Sequence, residues 1–101
     1  MRERLSALIG DVFWSDLRAH AARDALIVVA EDLDLADAGA AVAADDAAQV
    51  ASWIQARRLR KPSAEELARW PAVPAALFES LVVAPYVLIR PRQRGPEAAV
   101  S

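Results

Sequence analysis

Two short β-branched apolar runs stand in a chain whose other apolar residues recur at helical spacing. A chain of this kind folds as helices laid against a sheet. The first run is Ala25-Leu26-Ile27-Val28-Val29-Ala30. Its shortness and branching predict a strand buried on both faces. The second runs from Val82 to Ile89 and is interrupted by Pro85. Proline has no amide hydrogen for a ladder, so Pro85 marks a bulge or a strand start and leaves residues 86–90 as the cleanest strand.

The helical readings follow from spacing and caps. Leu5, Leu8, Ile9, Val12, Phe13 and Leu17 recur every three or four residues, which predicts one helix over about residues 3–22, weakened at Gly10. Asp34 is placed to cap a helix over about 35–44, and Asp46 with Gln49 has capping-box spacing. The helix after Asp46 carries Val50, Trp53, Ile54 and Arg57 as its stripe. Residues 59–61 form a short extended link. Ser63 and Glu66 form a second capping box, with Leu67 and Trp70 on the buried side. Pro71 ends that helix, and Pro74 opens another carrying Leu77, Phe78 and Leu81.

The expected fold is therefore α+β: a small two- or three-stranded sheet covered by about five helices, in one domain over residues 1–90. Residues 91–101 lack periodicity and are expected to be a disordered tail. A two-stranded sheet is marginal alone. Either a further strand near residues 59–61 or a second copy of the chain should complete it, and the second case is an expectation of a homodimer.

Length and composition narrow the function classes. The 101 residues suit one domain. Of the apolar residues 24 are alanine, but the 27 Leu, Ile, Val and Phe are enough for a core. The absence of cysteine removes disulfides, thiolate metal sites and cysteine nucleophiles. No apolar run approaches a membrane span, and the start does not read as a signal peptide, so the expectation is a cytoplasmic protein without membrane contact. Arginine outnumbers lysine 11 to 1, which with the alanine excess suggests a GC-rich genome. Glu31, Asp32, Asp34, Asp37, Asp45 and Asp46 form an acidic stretch without a base. Arg57, Arg58, Arg60 and Lys61 form one basic group, and Arg90, Arg92 and Arg94 a second.

Several segments, taken in order, resemble one family. They are residues 23–29 (RDALIVV), 32–35 (DLDL), Asp45-Asp46, Trp53-Ile54, Lys61-Pro62-Ser63 and residues 85–89 (PYVLI). They are similar to the small bacterial family known as domain of unknown function 2288, over about residues 11–90. This chain departs from that pattern in lacking a glycine in the turn before Leu59 and in having Tyr86 where phenylalanine is usual. The resemblance implies a bacterial origin and a shared fold, and implies no activity.

No residue earns a catalytic assignment, and no metal or cofactor is expected. A helix-turn-helix around Asp45-Asp46 would present Asp46, Ala47, Ala48, Gln49 and Ser52 to bases, and the aspartates there repel phosphate. Glu31, Asp32, Asp34 and Asp37 lack the frame of a calcium loop. His20 is the only histidine and sits near a helix end with Asp16 four residues earlier, a structural setting. The three glycines cannot build a phosphate-cradling loop. Trp53 and Trp70 read as core. Trp14 lies beside the first helical stripe and is expected to be partly exposed, which makes it the candidate partner contact.

The function expected is a non-enzymatic protein–protein interaction module with a protein partner not named by the sequence. The first alternative is a nucleic-acid-associated protein using the basic surface of Arg57, Arg58, Arg60, Lys61, Arg90, Arg92 and Arg94. The second is a small hydrolase or metal-binding protein using His20 and the acids over residues 32–46.

Overall fold

The structure, a computed structural model, describes residues 2–73 and 76–91. In chain order it comprises α1 (Arg2–Ser6), β1 (Gly10–Phe13), α2 (Trp14–Ala22), β2 (Leu26–Val29), α3 (Leu35–Ala43), α4 (Ala47–Gln55), β3 (Leu59–Arg60), α5 (Ala64–Arg69), a 3₁₀ turn (Trp70–Ala72), β4 (Leu77–Val83) and β5 (Tyr86–Pro91). The strands form one sheet in the order β1-β4-β5-β2-β3. β2 and β5 are parallel, with Leu26 opposite Val87 and Val28 opposite Ile89. The other three pairings are antiparallel.

The class is α+β, with five α-helices among the described residues. The expected sheet of two or three strands is wrong: there are five, and they are mixed in direction. Two strands were hidden in helical spacing. β1 takes the middle of the expected first helix, where Gly10 is followed by the β-formers Val12 and Phe13. Asp16 then starts α2 afresh, its Oδ2 accepting from the Phe13 amide at 3.2 Å. β4 takes the place of the helix expected to carry Leu77, Phe78 and Leu81; Pro74, its expected first residue, lies outside the described residues.

The run from Val82 to Ile89 is not one strand but the turn of a hairpin. β4 pairs with β5 from Phe78↔Pro91 to Val83↔Tyr86, folding back at Ala84-Pro85, whose peptide bond is cis. β5 extends to Pro91, one residue past the expected domain limit. The tail expected over residues 91–101 otherwise lies outside the described residues. β3 sits where the extended link was expected and pairs with β2. The shortage of strands that suggested a second copy does not exist.

Both sheet faces are covered, which the consecutive buried residues of β2 and β5 require because successive side chains alternate between the faces. One core gathers Leu26, Val28, Phe78, Val87 and Ile89 from the sheet with Trp14 and Leu17 of α2 and Trp70. Trp14, Trp70 and Phe78 form an aromatic cluster with centroids 5.1–6.3 Å apart. The opposite core gathers Val29, Leu59, Leu81, Val83 and Leu88 with Leu35 and Ala38 of α3, and Leu5, Val42, Val50 and Trp53 pack against it. Gly39 lets α3 approach closely: a Cβ there would overlap the side chain of Leu81.

The three expected caps are in place. Asp34 Oδ1 accepts from the amides of Ala36 (2.8 Å) and Asp37 (3.1 Å). Asp46 Oδ1 accepts from Gln49 N at 3.2 Å. Ser63 and Glu66 cap each other reciprocally. Glu66 also receives both guanidinium nitrogens of Arg60, at 2.7 and 2.8 Å, which ties α5 to β3. Those bonds are the main reason its carboxyl is held at about 2; the Ser63 amide assists and burial opposes. The folded pKa lies below the usual ~4.3 of glutamate. This stability is therefore present above that range and is lost as pH falls towards about 2. Because the Arg60 side chain is 42% exposed, screening reduces the effect to about 1 kcal/mol. Urea midpoints of the wild type should fall more steeply between about pH 5 and 2 than those of Glu66→Gln; parallel slopes would show that the pair contributes nothing.

Candidate functional site: an apolar groove beside α4

α4 has an apolar stripe, yet none of its nine residues is buried. Val50 and Trp53 are half covered, and Ile54 is 55% exposed. The reason is positional. α3 lies over the middle of the sheet, against β4 and β5, while α4 packs mainly against α3 and the two-residue β3. Beneath α4 a groove of about 460 Å³ remains open. Its walls are Ile27 of β2, Val42 of α3, and Val50 and Ile54 of α4, continuing to Leu59 of β3. Its rim carries Asp45, Asp46, Lys61 and Tyr86. The volume lies in the roughly 300–1,000 Å³ range of ligand-sized clefts.

The rim charges are unequal. The Lys61 ammonium is held by Asp24, through the backbone oxygen at 3.0 Å and Oδ2 at 2.8 Å. Asp46 caps α4. Asp45, left-handed at φ 56° in the α3–α4 turn, has no side-chain hydrogen bond or ion pair among the described residues.

The residues singled out from the sequence fall elsewhere. Trp14 is 7% exposed, so the expected partial exposure is corrected: its ring is core, against Trp70 and Phe78. Arg57, Arg60 and Arg90 do come together, around a crevice of about 290 Å³ at the ends of β2 and β5 that also includes Glu31. Most of the basic group is already paired. Arg58 meets Asp32 at 3.2 Å and Arg60 meets Glu66. Arg90 Nη1 donates to the carbonyls of Ala30, Glu31 and Leu33 at 2.8–3.2 Å, and its Nε faces Glu79 at 3.4 Å. Arg57 has no ion pair among the described residues. It adopts φ 64° in the turn before Leu59, the conformation a glycine takes without strain. Arg92 and Arg94 lie outside the described residues.

Arg90 thus anchors the loop between β2 and α3. Arg90→Met should lower stability by about 2–3 kcal/mol, because three carbonyls lose a charged donor. An unchanged thermal midpoint would show that solvent replaces it without loss.

His20 contacts Arg23 at the end of α2. Among the described residues no group of three or more His, Asp or Glu side chains is arranged to hold a metal ion. Among them, too, no helix is long and apolar enough to cross a membrane.

The arrangement defines a small mixed-sheet α+β domain whose most distinctive surface is an apolar groove. The chain belongs to the family described as protein of unknown function (DUF2288), whose family model matches residues 1–91. It is similar to the NMR solution structure of PA1075 from Pseudomonas aeruginosa, at 32% identity and a TM-score of 0.74, over 88% of this chain and 82% of that one. No curated protein matches the chain.

Sequence reasoning did not find the groove. Val50 and Ile54 show the spacing of an ordinary helical stripe, which does not say what covers it. The only sequence sign was the shortness of the link at residues 59–61, which makes β3 too short to fill the space under α4.

Proposed function

We propose that this chain is a non-enzymatic protein–protein interaction module that docks a partner in the groove beside α4. The observation carrying this reading is a nine-residue helix with an apolar stripe and no buried residue. Burying Ile54 and its neighbours in a partner contributes about 25 cal/mol per Å² of apolar surface covered. The pairing of Arg58, Arg60, Lys61 and Arg90 within the fold weighs against the nucleic-acid alternative, since phosphate would have to displace existing partners.

The test is affinity capture from an extract of the source cells with three baits: wild type, Ile54→Gln, and the double variant Arg57→Glu/Arg58→Glu. A protein retained by wild type and by the double variant as salt is raised, and lost with Ile54→Gln, supports the reading. Retention indifferent to Ile54→Gln contradicts it. Nucleic acid that is retained, released steeply by salt and lost with the double variant would establish the alternative instead.

A further inference from the structure

We infer that the groove selects a protein segment carrying a basic side chain beside its aliphatic anchors, with Asp45 as the carboxylate that receives it. This rests on the docking reading above and adds the chemistry of the occupant. The argument is charge complementarity. The walls, Ile27, Val42, Val50 and Ile54, offer only apolar contact. Of the charged rim groups, Lys61 is neutralised by Asp24, and Asp46 is engaged by the first turn of α4. Asp45 has no such partner among the described residues. An apolar segment with an acidic residue at that end would meet an uncompensated carboxylate at the mouth. A segment with arginine or lysine there would pair with it while its apolar side chains fill the groove. Rim charges act mainly on association rate and on discrimination between partners, and less on total affinity.

The turn geometry makes Asp45 testable without unfolding. Asparagine tolerates the left-handed region at least as well as aspartate, so Asp45→Asn removes charge and leaves the turn intact. Random 12-residue peptides displayed on phage are selected against the full chain. The best binder and its basic→Gln derivative are then titrated against wild type, Asp45→Asn and Ile54→Gln, with circular dichroism confirming that each variant folds. The expected pool carries two or more aliphatic or aromatic anchors and an arginine or lysine. The expected binding to Ile54→Gln is at least about tenfold weaker. Asp45→Asn should weaken the basic peptide about three- to fivefold and leave the Gln derivative unchanged. Loss with Ile54→Gln, but no enrichment of basic residues and no effect of Asp45→Asn, overturns the charge assignment and leaves the docking reading standing. No selected binder, or binders indifferent to Ile54→Gln, overturns both.

Discussion

Trp14→Ala is expected to destabilise the domain by about 3–5 kcal/mol, the range for truncating a large buried aromatic. Domains of this size have about 5–15 kcal/mol in total, so the variant should be largely unfolded well below the wild-type transition. The cause is local. Trp14 is the first residue of α2 and only 7% exposed, and its ring lies 5.8 Å from Trp70 and 6.3 Å from Phe78. Removing it opens a cavity between α2, the 3₁₀ turn and β4. Near-ultraviolet circular dichroism and a urea titration read the effect directly. A variant that kept its fold and midpoint would mean that Trp14 is a surface group, as the sequence alone suggested.

Gly39→Val is also expected to destabilise the domain. The position needs no unusual backbone angle; it needs the absence of a side chain. α3 crosses β4 so closely that a Cβ at 39 would overlap Leu81, which is fully buried. Overpacking of this kind costs about 1–3 kcal/mol, or roughly 4–8 °C in Tm for each kcal/mol in a chain of this length. Gly39→Ala should cost less, because the gain in helix propensity of about 1 kcal/mol offsets part of the overlap. A Gly39→Val variant as stable as wild type would show that α3 stands further from the sheet than described.

What was legible in the sequence was local. Asp34, Asp46 and the Ser63–Glu66 pair cap helices because each cap needs only residues two or three positions away. β2 was legible because four adjacent residues, Leu26–Val29, must all be apolar when both faces are covered. β1 and β4 were not. Their apolar residues also satisfy spacings of three and four, and the strand pairing that decides between the readings lies outside each run: Val12 pairs with the distant Phe78, and Leu81 pairs with Leu88 across the hairpin turn. The same limit explains Trp14, whose neighbours Trp70 and Phe78 lie far along the chain. The groove was hidden for the opposite reason. Val50 and Ile54 have the pattern of a covered stripe, and nothing in their own spacing says that β3 stops after two residues.

The claim that the groove beside α4 receives a protein partner is tested most directly by amide hydrogen exchange on the full chain, free and bound to the protein it captures. Binding in the groove should slow exchange along α4 and at Leu59–Arg60, and leave α2 and α5 unchanged. Slower exchange confined to α2 and α5, with α4 exchanging as in the free chain, would contradict the account.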